Sequence, residues 1–146
     1  MPRPLTIVGA SARAAAFSAR AAGFETWCAD LFADVDLQAV SNVERVDKYP
    51  RGFASLLHSS PDGPWMYTGA LENHPDLIDE LAHLRPLYGN RGSALRRARN
   101  PVFWSRALAE SGLPAPRVSL STAELPQDGS WMRKPLHSAN GQGVSL

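Results

Sequence analysis

Near the end of the chain, Lys134 closes an apolar stretch in "WMRKPLHSANGQGVSL" (Trp131 to Leu146). It is followed at once by Pro135, a short polar run and two glycines spaced G-x-G. An ammonium at the mouth of a strand, beside a loop without bulky side chains, is suited to holding phosphates. Ser138 and the backbone of Ala139 to Gly143 can donate to phosphate oxygens, and Gly141 and Gly143 permit close approach. Pro135 cannot continue a ladder hydrogen bond, so it forces the chain out of the strand. The plain alternative for the same residues is a hairpin with a glycine-rich tip.

A second stretch with chemical potential is "YTGALENHPD", which follows the carboxyl end of a predicted strand, where open α/β sheets bind ligands. Glu72, Asn73 and His74 can each contact a polar substrate. They can equally serve the next helix, with Asn73 or His74 as its cap and Glu72 near its positive end. The two roles can coexist.

The third is the first strand–helix turn, "GASARA", placed where dinucleotide folds hold a pyrophosphate. The G-x-G-x-x-G fingerprint is not met, because its three positions hold Gly9, Ser11 and Ala14. Side chains at the last two would keep the backbone away from a pyrophosphate. Asp30, at the end of the second predicted strand, stands where a ribose-binding acid should. A tight turn in an α/β sheet explains the stretch better.

Other reactive side chains form no pattern. His58, His74, His83 and His137 lack metal-ligand spacing, and no Ser-His-Asp arrangement can be assembled. Arg91, Arg96, Arg97 and Arg99 read as one solvated helix face. Cys28 is the single cysteine, which excludes an intrachain disulfide and a thiolate zinc cluster.

The elements that must position these residues alternate. "LTIVGAS" reads as a buried strand with Ser11 as N-cap of an alanine-rich helix, and Gly23 suits the left-handed stop. "FETWCAD" is the second strand, so the first 30 residues form a βαβ unit and imply a parallel sheet. "NVERV" is a third strand, Arg51 to Ser59 a helix and "GPWMYTGA" a fourth strand. Pro75 then opens a helix with Leu77, Ile78, Leu81 and Leu84 on one face, and "RPLYGN" is a last short strand. Two helices follow from Asn90, the second opened by Asn100-Pro101 and stopped by Gly112. A proline-rich connector holds a short strand at Arg117 to Leu120, "SWMRKP" is a strand and "GVSL" begins another.

At 146 residues the chain has room for one sizeable core, and 44% hydrophobic with 20% charged residues excludes a disordered chain. A formal net charge of +1 gives no general push toward nucleic acid or membrane. Arg13 and Arg20 interrupt the alanine-rich start, so it does not read as a secretory leader. With its lone cysteine, the chain is expected to be cytoplasmic.

The order of these parts resembles the N-terminal half of the ATP-grasp superfamily: an α/β domain ending "PLYGN", a helix pair, "SGLPAPR", then a strand ending in K-P and a glycine-rich loop. The resemblance spans essentially the whole chain and is nearest to bacterial proteins described as ATP-dependent carboligases. It implies a Rossmann-like pre-ATP-grasp domain at residues 1–90, linker helices at 91–116 and the incomplete start of an ATP-grasp α+β subdomain at 117–146. It implies that Lys134 contacts ATP phosphates, that the loop with Ser138, Gly141 and Gly143 folds over them, and that Gly9, Glu72 and Asn73 help to bind substrate. Many members open the second linker helix with an Asp-Lys pair whose lysine also reaches the nucleotide; Asn100 and Pro101 stand there in this chain.

The implied function is the N-terminal part of an ATP-dependent ligase. That enzyme would join a small carboxylate to an amine or other nucleophile through an acyl phosphate, with Mg2+ ligands beyond residue 146 and a homodimer allowed for the longer parent. The chain alone is expected to turn nothing over. The competing classes are a Rossmann-type dinucleotide-binding protein and a non-catalytic α/β ligand-binding module.

Overall fold

Arg3–Gly9 forms strand β1, in which Leu5 to Gly9 are buried on both faces, as a central parallel strand requires. It pairs in parallel with β2 (Phe24–Asp30) along its length, Leu5 opposite Thr26 and Ile7 opposite Cys28. On its other side it pairs with β4 (Trp65–Tyr67), and β2 pairs with β3 (Asn42–Arg45). The sheet order is β3-β2-β1-β4, all parallel. The computed structural model describes residues 3–138 and 141–146.

Alternation along each strand divides the core between two layers. Leu5, Ile7 and Cys28 pack with Ala12, Ala16 and Ala19 of helix α1 (Arg13–Ala21) and its first turn, and with Leu37 of the short α2 (Val35–Gln38). The small alanines let α1 lie close to the sheet. On the opposite face α3 (Gly52–Ser59) packs on β1 and β2 and against α4 (Pro75–Leu84). Phe53, Leu57, Leu77, Ile78 and Leu81 are buried there. The parallel sheet with helices on both faces is the α/β layer that the strand–helix alternation predicts.

Local details differ from the sequence reading for identifiable reasons. Ser11 does not cap α1; the N-cap position is Ala12, whose N–H donates to Asp30 Oδ2 at 2.6 Å. A buried carboxylate from the neighbouring strand has taken the role of the local hydroxyl. Leu84 does not complete the apolar face of α4: it sits in the last turn and is 50% exposed. "RPLYGN" makes one parallel bridge, Leu87 to Trp65, rather than a strand, because Pro86 has no N–H to extend the ladder. Just before it, Arg85 turns back: Nη1 donates to Ser60 Oγ (2.9 Å) and Pro61 O (2.7 Å), and Nη2 donates to Ser60 O (2.9 Å). This places a cation on the carbonyls of Ser60 and Pro61, just past the last turn of α3. At Gly23 the left-handed φ of +82° ends α1 as expected.

The chain divides into two compact units, Met1–Ser93 and Ala94–Leu146, with α5 (Gly92–Ala98) beginning in the first and ending in the second. In the second unit, Asn100 Oδ1 accepts the Phe103 N–H (3.0 Å) and Pro101 stands in the first turn of α6 (Pro101–Glu110). Gly112, at φ +68°, stops it. No strand forms over Arg117 to Leu120. There the Ser119 hydroxyl donates to Ser121 O (2.7 Å) and accepts from Ser121 N (3.2 Å), a local bonding pattern that competes with a ladder. "SWMRKP" and "GVSL" contribute one antiparallel bridge, Arg133 to Ser145.

Candidate functional site

In this sheet β2 and β3 lie to one side of β1 and β4 to the other, so the strand order reverses between β1 and β4. The crevice at the carboxyl ends of such a pair is where open α/β sheets place ligands. Two loops meet there. Thr68 N–H donates to Val8 O (2.8 Å), Ala10 N–H to Gly69 O (3.0 Å) and Thr68 Oγ1 to Ser11 O (3.0 Å). Gly9 makes this possible, because a Cβ on it would collide with Thr68 Oγ1. The vacancy at Gly9 is therefore filled by Thr68 from the neighbouring loop.

Beyond Gly69 the chain passes through Ala70 at φ +80° and ψ −33°, a conformation rare outside glycine, and into a 3-10 turn, Leu71–Asn73. Leu71 anchors the turn in the core, while Glu72 and Asn73 lie half-buried on it. Tyr49 holds the turn in place: its hydroxyl donates to Ala70 O at 2.8 Å. A phenol has one proton, so the 2.8 Å contact between Tyr49 Oη and His74 Nε2 requires the imidazole to donate. His74 occupies the N-cap position of α4 without a capping side-chain bond, and its ring stands edge-on to Tyr49 at 5.2 Å. Tyr67, the last residue of β4, donates from Oη to Asn90 O (2.8 Å).

Both phenols titrate above the ordinary tyrosine value, first because burial penalises the phenolate and second because the Glu72 carboxylate is near. The negative charge of Glu72 thus reaches Tyr49 and Tyr67 alike. Sequence reading singled out Glu72, Asn73, His74 and Gly9 and missed both tyrosines. Tyr67 was detectable, since it ends the strand that feeds the loop. Tyr49 comes from the segment before α3, and nothing local marks it.

Asp30 is 1% exposed and spends its carboxylate on backbone. Oδ2 accepts from Ala12 N, and Oδ1 accepts from Phe32 N (2.7 Å) and Ala33 N (2.9 Å). The amino end of α1, which a dinucleotide fold offers to pyrophosphate, already receives this carboxylate. A ribose would have to displace three hydrogen bonds to reach Asp30.

In the second unit Lys134 is exposed and lies directly after the bridge, where Arg133 N donates to Ser145 O (2.7 Å) and Ser145 N to Arg133 O (3.1 Å). Ser138 Oγ donates back to Pro135 O (3.2 Å). Gly141 (φ +75°) and Gly143 (φ +73°) both take the left-handed conformation, and a Cβ on Gly143 would press on Pro135 Cγ at 2.9 Å. Lys134, Ser138, Gly141 and Gly143 thus belong to one loop closed at its base. Ala139 and Asn140, whose backbone was expected to contribute donors, lie outside the described residues.

No protein-family model matches the chain, and no curated protein does. Two solved structures share its fold. One is an N5-carboxyaminoimidazole ribonucleotide synthetase in its ADP complex, at TM-score 0.58 and 21% identity over 78% of this chain and 30% of that one. The other is N5-carboxyaminoimidazole ribonucleotide synthetase from Thermotoga maritima, at TM-score 0.52 and 15% identity over 79% and 32%. The likeness is one of fold. The chain spans about a third of the length of these enzymes. Among the described residues no group of three or more His, Cys, Asp or Glu could hold a metal ion, and no helix is long and apolar enough to cross a membrane.

Proposed function

We propose that this chain is the N-terminal part of an ATP-dependent ligase that joins a small carboxylate to an amine or another nucleophile through an acyl phosphate. The observation that carries the reading is the shared fold with a synthetase crystallised with ADP, reached by a chain that also bears a lysine-led loop of left-handed glycines. The domain organisation that goes with it is a pre-ATP-grasp domain at residues 1–90, linker helices at 91–116 and the start of an ATP-grasp subdomain at 117–146.

In this reading Lys134 supplies positive charge to the phosphates, with Ser138, Gly141 and Gly143 shaping the loop around them. Glu72 and Asn73 contact substrate above the β1–β4 crevice, whose floor Gly9 forms by admitting Thr68. ATP, when bound, supplies the phosphoryl group that activates the carboxylate. The described residues offer no cluster of three or more His, Cys, Asp or Glu for Mg2+. The dinucleotide alternative is disfavoured by Asp30, which is committed to three backbone N–H groups.

The test is thermal melting with Mg-ATP, with NADH and with neither. A ligand present at 100 times its Kd stabilises by about 2.7 kcal/mol, so Mg-ATP should raise Tm and NADH should not. In the full-length parent, Lys134→Ala should weaken Mg-ATP binding about ten- to a hundredfold, the worth of one charge-assisted contact, and leave the ligand-free Tm unmoved. An upward shift with NADH alone would replace this reading with the dinucleotide one.

A further inference from the structure

Arg99 belongs to a basic run that by sequence reads as a solvated helix face, yet it is half-buried and bonded to the phosphate-loop candidate. It sits at a fixed corner. Its own N–H donates to Leu95 O (2.9 Å), closing α5, and the next residue, Asn100, caps α6. Trp104 Nε1 ties the two helices by donating to Ala98 O at 2.9 Å, and the Arg97 guanidinium lies 4.8 Å over the Phe103 ring. From this corner Arg99 Nη2 donates to two carbonyls, Leu136 O at 3.1 Å and Ser138 O at 3.3 Å. Both carbonyls belong to the turn that leaves Lys134-Pro135.

A loop that holds anions must aim N–H groups, not carbonyls, at the ligand. In a trans peptide the two point opposite ways. Turning the Leu136 carbonyl toward Arg99 therefore turns the N–H of His137, in the same peptide, away from it. Further constraints bear on the described residues of the turn: Ser138 Oγ on Pro135 O, Pro135 against Gly143, and the Arg133–Ser145 bridge at the base. We propose that Arg99 is the positioning residue of the Lys134 loop, setting its carbonyls outward so that it meets nucleotide phosphates already shaped. The proposal rests on the nucleotide-binding reading of that loop, and Arg99 acts through the loop without touching the ligand.

The experiment compares the full chain with Arg99→Met, which keeps the stem and removes the donors, and Arg99→Lys, which keeps a charge and donors. Two readouts are taken: amide exchange by segment, and titration with Mg-ATP. In Arg99→Met, exchange between residues 131 and 146 should rise about tenfold, with β1, β2 and α6 unchanged. Mg-ATP binding should weaken by about the same factor, as expected for one lost hydrogen-bonding anchor. Arg99→Lys should recover much of both. Unchanged exchange over the loop in Arg99→Met overturns the proposal, as does equal Mg-ATP affinity in a wild type that binds. If the loop loosens in Arg99→Met while the wild type itself binds no Mg-ATP, the positioning role stands and the nucleotide reading falls.

Discussion

Asp30 shows how one buried carboxylate can look like a ligand-binding group in the sequence and act as a structural one in the fold. Its three acceptor contacts satisfy the start of α1 and the turn after β2 together, and hydrogen bonds to a charged group are worth roughly 1.5–3 kcal/mol each. Asp30→Ala should therefore cost at least about 3 kcal/mol in urea unfolding, and Asp30→Asn less, since the amide keeps one acceptor. The neighbouring Cys28 is fully buried, with Sγ 3.2 Å from Ser41 Oγ. Burial chiefly, with a smaller contribution from Asp30 and against the Ser41 bond, pushes its thiol from 9.0 up to about 11. Native protein at pH 8 should resist alkylation, and label only once unfolded. Between pH 9 and about 11 the unfolded chain has lost this proton and the folded chain has kept it. Unfolding then releases a proton, so stability falls as pH rises through that window. Tyr49 and Tyr67 act in the same direction at higher pH. In Cys28→Ala the decline should begin later, which a series of melts from pH 8 to 11 would show.

The elements were legible where their signal is local. Strand and helix periodicity in Leu5 to Asp30, the glycine stop at Gly23 and the Asn100-Pro101 helix start all depend on residues a few positions apart, and all appear in the structure. What was not legible joins distant parts of the chain: Asp30 to Ala12, Tyr49 to Ala70, Arg99 to Leu136. The same holds for Arg85, whose guanidinium binds Ser60 and Pro61 in the chain that leaves α3. Removing it leaves those carbonyls and the Ser60 hydroxyl without a cation at the helix's negative end. Arg85→Ala should lower stability by about 2–3 kcal/mol, and Arg85→Lys by less, as measured by denaturant midpoint at constant slope. A smaller loss would mean that water replaces the guanidinium readily. At the candidate site the loop carrying Glu72 and Asn73 was found by its place after a strand. The tyrosine that holds it was hidden, because no short-range pattern signals a side chain arriving from a different crossover.

The molecule concentrates its apolar core in one part of the chain. Among the described residues every buried hydrophobic side chain lies between Leu5 and Ala82. The described residues of 94–146 contain none, while Trp104, Leu120, Met132, Leu136 and Leu146 stand exposed there. Burial of apolar area is the main force favouring folding, so the two units should differ sharply when made alone. Residues 1–93 should melt in one cooperative transition, and residues 94–146 should unfold at lower temperature and less cooperatively. In the whole chain, brief protease treatment should cut first between Ser121 and Leu146, where short bridges replace a ladder. Cleavage within β1 to β4 at the same rate would refute this division of stability.

The sheet order also constrains the protein's synthesis. β1 is made before its partners, and β2 can cover one of its edges as soon as the βαβ unit leaves the ribosome. Its other edge is reserved for β4, which is translated only after Leu31 to Pro64. At 5–20 residues per second that interval lasts roughly 2–7 s. Throughout it the nascent chain presents Thr6, Ile7 and Val8 on an open, apolar strand edge, the kind of surface that pairs with other chains. The wait is built into the topology, and holding that edge is work a ribosome-bound chaperone is suited to perform.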